Sequence, residues 1–273
     1  MTQAMPRQIL MIWLEQLAID RWRQEIGCLE GEGADAEPFA LVEKTSHGSR
    51  IRAVNAAALG IGLEAGMVLT DARALCQNLA VASSDPVGDA DCLGRLAVQT
   101  RRWGPWSAID PPDGIFVDIT GVAHLFDGEE ALLADVQGVL ARWGFTARIA
   151  IAPTAGAAWA LAHHGSPSSI LLPGENIADR LRGLPVAGLR LDQGTLLVLR
   201  RLGLKRLGDL YGVGRDALKR RFRGPGLPIV DPLLRLDQLL GRISEPLLPV
   251  VPVVLPAVQR QLLEPIFHRE QLV

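Results

Sequence analysis

The stretch that decides the fold is Ser107-Ala108-Ile109-Asp110-Pro111-Pro112-Asp113-Gly114-Ile115-Phe116-Val117-Asp118-Ile119-Thr120. Two short strands, Ser107–Ile109 and Ile115–Ile119, flank a linker, Asp110 to Gly114, with the composition of a hairpin turn. Proline presets φ, and Asp and Gly tolerate the backbone angles a reversal needs. Upstream, residues 8–14, apolar from Ile9 to Leu14, look like a buried strand, and Ile19, Trp22 and Ile26 follow at helical spacing. Downstream come a helix at about Glu129–Trp143, a strand at Thr146–Ile151, a helix at Thr154–His164 and a strand at Ser169–Leu172. Strand–helix–strand–strand–helix–strand is the order of a split β-α-β, ferredoxin-like sheet, and the expected class is α+β.

Between the first strand and the hairpin lie a Gly/Ala/acidic loop (Gly27 to Glu37), short β-rich stretches at Phe39–Val42 and Ile51–Val54, and the turn Leu59-Gly60-Ile61-Gly62-Leu63-Glu64-Ala65-Gly66-Met67. That turn leads into a helix from about Thr70 to Cys76, with Thr70 or Asp71 as its cap. A strand at Leu79–Ala82 and a helix at about Asp89–Trp103 follow. From Gly183 onward the pattern is short helices broken by glycine. Leu202–Leu210 and Gly212–Leu218 read as helix–hairpin–helix elements, which hold DNA through backbone N–H groups and a helix N-terminus facing phosphate. After Gly241 the recurrent prolines Pro246, Pro249, Pro252 and Pro256 favour an extended linker.

With 48% apolar and 21% charged residues the chain can bury a core, so it is not a disordered protein. No apolar run approaches a membrane span of roughly 20 residues, and a cytoplasmic protein without membrane contact is expected. Cys28, Cys76 and Cys92 fit neither a zinc spacing nor a disulfide framework. His163 and His164 are adjacent, so on a helix they point apart and would not chelate one ion. The expectation is therefore no metal and no cofactor. Net charge is −2, yet nine basic residues crowd between Arg200 and Arg223 against only Asp209 and Asp216. Such asymmetry is a footprint for phosphate contact or a solvated helix face.

The turn glycines Gly62 and Gly66 with Leu63 and Met67, followed by Ala72, Leu75 and Cys76, resemble the fingers of Y-family (UmuC/DinB-like) DNA polymerases. The segment Asp113–Thr120 resembles that family's acidic hairpin, residues 148–164 its palm strand and helix, and Leu184–Leu210 its thumb. The resemblance runs collinearly over most of the chain. It implies a ferredoxin-like palm over residues 1–173 with a small fingers subdomain inserted at about 20–82, and a helix–hairpin–helix thumb over 174–242. It also implies a Pro-rich linker with a truncated start of the little finger over 243–273, the rest of that C-terminal domain being missing.

The departures from the family carry the functional reading. Relatives hold two Mg²⁺ ions with carboxylates from the first strand and from an Asp-Glu pair in the hairpin. Here Trp13 stands at the first position, and the pair is Asp113-Gly114. Glu15, Asp110 and Asp118 lie near in sequence. The fingers' nucleotide contacts are replaced by Ala56 and Leu59, the palm's Asn-Lys pair by Thr154 and Ala155, and a further Lys by Trp159; Arg52 and Arg73 remain. The pattern resembles the ImuB-like, catalytically inactive group. It implies a DNA-binding adaptor in translesion synthesis and damage-induced mutagenesis that is not an enzyme.

The DNA contacts expected are to primer–template phosphates through Arg200, Arg201, Lys205, Arg206, Gly212, Gly214, Arg215, Lys219 and Arg220. By the same resemblance the partners are a RecA-like accessory protein and an error-prone replicative-type polymerase, with the sliding clamp reached only through a C-terminal region absent here. Two other readings stay open: an active, divergent lesion-bypass polymerase using Asp113, Asp118 and Glu15, and a protein-interaction module without DNA binding.

Overall fold

The structure, a computed structural model, describes residues 6–27, 37–46, 48–216, 218, 222 and 231–251. Strand β1 (Ile9–Trp13) and helix α1 (Leu17–Glu25) lead into a small unit made of β2 (Phe39–Thr45), β3 (Gly48–Val54), α2 (Ala56–Gly60), α3 (Leu69–Leu75) and β4 (Ala80–Ser83). Helix α4 (Pro86–Gln99) returns to the hairpin β5 (Ser107–Asp110) and β6 (Gly114–Asp118). Then come α5 (Glu129–Arg142), β7 (Arg148–Ala152), α6 (Ala155–His164) and β8 (Ser169–Ile170). Helices α7 (Ile177–Leu181), α8 (Gln193–Arg201), α9 (Leu207–Tyr211) and α10 (Pro232–Leu239) follow.

The main sheet has the order β5-β6-β1-β7-β8. Strand β1 lies between β6 and β7 and is antiparallel to both, so β6–α5–β7 is the expected split unit. The strands β5-β6-β1-β7, with α4 before the hairpin and α5 after it on one face, make up the ferredoxin-like sheet expected, and β8 extends it at one edge. Strand β8 pairs parallel to β7, because α6 carries the chain back along the sheet before the next strand begins. The small unit is a separate three-stranded sheet, β3-β2-β4, with its own core around Ala40, Ile51, Leu63 and Ala72.

Alternation along β1 sorts two cores. Leu10, Ile12 and Leu14 pack with Leu93, Leu132 and Val136 on the face covered by α4 and α5. Ile9 and Met11 pack with Ala150, Ala152 and the alanines of α6, and that core continues through Leu189, Leu199, Leu210 and Leu236. The alanine-rich surfaces let α6 approach the sheet closely. On its other side a Cβ at Gly156 would sit 2.9 Å from the Leu239 Cα, so α10 rests directly on α6.

Three local expectations are corrected. Helix α3 is preceded by Val68 and has no side-chain cap, so Thr70 and Asp71 lie inside its first turn rather than at its start. Helix α4 begins at Pro86, not Asp89: Asp85 accepts the Gly88 N–H at 3.0 Å and proline occupies the first turn, where its missing N–H costs nothing. Helix α2 was not foreseen. Buried Asn55 caps it, accepting from Ala58 N at 3.0 Å and tying Phe39 and Glu37 to the same corner. Cys76 and Cys92 are free thiols, and Cys28 lies outside the described residues.

Candidate functional site

In the β1–β6 register Trp13 stands directly opposite Gly114. The two positions expected to have lost carboxylates are thus cross-strand neighbours, an indole facing a residue with no side chain. A Cβ added at Gly114 would lie 2.9 Å from the Asp110 backbone oxygen, 3.0 Å from the Asp110 Cβ and 2.7 Å from the Met11 methyl. A side chain at 114 would therefore require the β5–β6 turn and the Met11 side chain to shift.

Asp113 keeps its place at the turn, where its carbonyl accepts the Leu14 N–H at 2.9 Å. Burial pushes its carboxyl above the usual range; a hydrogen bond with Trp13 opposes this, and repulsion from Asp110 and Glu15 adds to it. Asp110 is likewise raised by burial, against the pull of Arg190 and a hydrogen bond from Trp159. Asp118 sits at the far end of β6, opposite Ile9, roughly 13 Å from Gly114 at the rise of an extended strand. It is held there by Arg7 at 3.7 Å and by the Thr120 N–H at 3.0 Å. Asp113, Asp118 and Glu15 are therefore not brought together, and among the described residues no group of three His, Cys, Asp or Glu side chains can hold a metal.

An aromatic column fills the α6 side of this region. Trp13 stacks on His163 with centroids 4.1 Å apart, and His163 stacks on Trp159 at 3.6 Å. Guanidinium groups sit at either end: Arg148 lies 5.8 Å from the Trp13 ring, and Arg190 lies 5.8 Å from both Trp159 and Phe116. The Trp159 indole N–H donates to Asp110 at 2.8 Å. Arg190 also reaches Glu245 at 2.6 Å, which accepts from Arg235 at 2.7 Å. His163 is lowered to about 4, first by burial and further by repulsion from His164, Arg190 and Arg148, so the stacked ring is neutral near pH 7. The surroundings of Trp13 on this side are therefore a stack of rings and two guanidinium groups, with Asp110 and Glu245 already paired to Arg190.

Sequence reasoning missed His163, Arg148, Arg190 and Glu245. The i,i+4 spacing of Trp159 and His163 on one helix face was a usable signal. Nothing in sequence announces Arg190, which follows a short 3₁₀ turn (Val186–Leu189), adopts left-handed backbone (φ 54°) and turns inward.

The expected nucleotide contacts are dispersed. Thr154 caps α6 and donates to the Leu239 carbonyl at 2.8 Å, and Ala155 is buried behind it. Ala56 and Arg73 are exposed. Leu59 and Arg52, with Glu15, Glu64 and Asp113, line a cavity of about 770 Å³ between the end of β1, α4 and the turn after α2.

In the helical part Arg200, Arg201, Lys205 and Arg206 are all exposed, at the end of α8 and in the loop before α9. The backbone N–H groups of Lys205 and Arg206 are already taken by the Asp209 carboxylate, at 2.9 and 2.8 Å. Arg215 is bound through both terminal nitrogens to Asp237, whose carboxyl is held low chiefly by that pair. Gly188 packs against Ala160, at 3.2 Å for an added Cβ, so it serves the interior. At Gly212 and Gly214, by contrast, nothing among the described residues lies within 4 Å of an added Cβ, and neither has positive φ. Lys219 and Arg220 lie outside the described residues.

Residues 31–163 match the impB/mucB/samB family. Over 187 residues the chain is 48% identical to Protein ImuB of Caulobacter vibrioides strain NA1000 / CB15N, and equally to that of strain ATCC 19089. The alignment covers 68% of this chain and 39% of the relative, so the chain spans well under half the length of the curated relatives it matches. Among solved structures, DinB from Sulfolobus solfataricus is similar with a TM-score of 0.70 at 16% identity, covering 88% of this chain and 69% of that one. The insertion ternary complex of Dbh DNA polymerase has a TM-score of 0.71 at 16% identity, with the same coverage. The shared property at that identity is the α+β fold.

Proposed function

We propose that this chain, whose residues 31–163 match the impB/mucB/samB family and which is 48% identical to Protein ImuB over 187 residues, is a non-catalytic Y-family relative acting as a DNA-binding adaptor in translesion synthesis and damage-induced mutagenesis. The observation that carries the reading is Trp13 facing Gly114 in register, with the Asp110 backbone and the Met11 methyl crowding any side chain at 114. Bound metal ions contribute several kcal/mol to a phosphoryl-transfer transition state, and each ~1.4 kcal/mol is tenfold in rate. Loss of two carboxylates, with guanidinium groups in the vicinity, removes that contribution entirely.

Two features support DNA contact. Arg200, Arg201, Lys205 and Arg206 are exposed in one turn-and-loop segment and suit phosphate. Gly212 and Gly214 adopt no positive φ and meet no described residue within 4 Å of an added Cβ, and a missing Cβ there suits close approach of an outside backbone. The RecA-like accessory protein, the error-prone polymerase, the clamp reached through a further C-terminal region and a cytosolic location belong to the same proposal by resemblance. A pure interaction module is the second reading, favoured by Arg215 and Arg190 being committed to internal carboxylates.

Fluorescence anisotropy with primer–template DNA across a salt series, run beside primer extension with Mg²⁺ and nucleotides, tests the proposal. Salt-steep binding without extension supports the adaptor. Extension that disappears in Asp113→Ala overturns it in favour of an enzyme, and absence of DNA binding leaves the interaction module.

A further inference from the structure

The cavity of about 770 Å³ has kept the volume for a ligand while its wall chemistry has turned against phosphate. It presents one guanidinium, Arg52, against the carboxylates Glu15, Glu64, Asp89 and Asp113. Asp89 is occupied by Arg21 at 2.6 Å, but Glu15 and Glu64 are exposed. Glu15 also repels the buried Asp113 carboxyl, a repulsion that a cation placed between them would relieve. The body of the cavity is apolar, with Leu17 and Leu93 buried in its wall. At its lip Leu59 is 54% exposed, and Ile61 beside it is 47% exposed.

These features define an occupant by exclusion. A nucleoside triphosphate would set several negative charges against an acidic wall. A divalent ion lacks ligands, since no three carboxylate, imidazole or thiol groups converge among the described residues. A simple amine satisfies the acids but leaves most of an apolar volume of ligand size unfilled. A basic side chain next to a bulky apolar one satisfies both, and such pairs are presented by peptide segments.

We propose that this cavity is a docking socket for a peptide segment of a partner protein, seating a lysine or arginine against Glu15 and Glu64 and an apolar side chain against Leu17, Leu59 and Leu93. The inference rests on the adaptor reading: the pocket vacated by chemistry serves protein contact instead. It does not depend on the thumb's phosphate contacts.

The test uses the whole chain and two benzophenone-bearing tetrapeptide libraries, one with arginine and one with glutamate at a fixed position, and leucine, isoleucine, phenylalanine or methionine elsewhere. Photo-crosslinks are mapped by mass spectrometry. The arginine library should label residues 13–18 and 59–65 about fivefold more than the glutamate library, the worth of roughly one partly exposed ion pair. The double variant Glu15→Gln/Glu64→Gln should bring the two libraries level. Leu59→Lys, at an exposed position, should reduce arginine-library labelling with an unchanged far-UV spectrum. Equal labelling by both libraries, labelling elsewhere, no labelling, or displacement by dATP with Mg²⁺ would each overturn the socket. Salt-dependent DNA binding measured on the same preparation separates the two ideas: if it persists while labelling fails, the socket falls and the adaptor stands.

Discussion

Gly114→Ala is the sharpest probe of the closed hairpin. Where there is room, replacing glycine by alanine stabilises a chain by about 0.4–1 kcal/mol, because the unfolded state loses freedom. At position 114 the added methyl would meet a backbone oxygen at 2.9 Å, a Cβ at 3.0 Å and the Met11 methyl at 2.7 Å. The Met11 end can swing aside, but the Asp110 backbone cannot move without shifting the β5–β6 turn. Overpacking of this kind costs about 1–3 kcal/mol, so the net expectation is a loss of about 1–2 kcal/mol. With a urea slope of about 3 kcal/mol/M the unfolding midpoint should fall by roughly 0.3–0.7 M. The assay is urea unfolding followed by far-UV circular dichroism. An unchanged or raised midpoint would show that the hairpin accepts a side chain, and the claim that a carboxylate cannot be restored there would collapse. If the midpoint falls as expected, the double variant Trp13→Asp/Gly114→Glu should also fail in primer extension, because restoring both side chains does not restore the backbone that presented them.

Three further predictions are independent. Replacing His163 by Phe keeps a ring in the stack but removes a group lowered from 6.5 to about 4 in the fold. The unfolded chain binds that proton first, so the contribution of the neutral imidazole is complete above pH 6.5 and is lost progressively as pH falls through about 4. The stability of His163→Phe relative to wild type should therefore rise as pH is lowered over that window, and a pH-independent difference would refute the assignment. Glu245→Ala removes the carboxylate shared by Arg190 and Arg235, whose side chains are only 12% and 23% exposed, leaves Arg190 only the 3.7 Å pair with Asp110, and should cost roughly 3 kcal/mol. It should also speed hydrogen exchange at the Val250 N–H, which donates to Ser107 O at 2.7 Å; unaltered exchange would mean that the ion pairs do not hold that segment. Arg200→Ala and Arg201→Ala should each lower the log–log salt slope of DNA binding by about 1 without changing sequence preference, and an unchanged slope removes that residue from the phosphate contacts.

The sequence by itself showed β1 as an apolar buried strand, the hairpin at Asp110–Gly114 and the split unit of the main sheet, and that Trp13 and Gly114 carry no carboxylate. These are local matters: an apolar run, turn chemistry and the presence or absence of a side-chain oxygen can all be read one residue at a time. Helix starts were read less well, because caps such as Asp85 and Asn55 work through single hydrogen bonds that composition does not resolve. Only the tertiary structure decided what surrounds Trp13 and Gly114. It set Trp13 opposite Gly114 and slid Trp13, His163 and Trp159 into one column. It also turned Arg190 inward to Asp110 and Glu245, and left an acidic, apolar cavity beside them. Those juxtapositions join residues far apart in the chain, and they follow from strand register and from α6 and α10 packing on one face of the sheet, which no local pattern encodes.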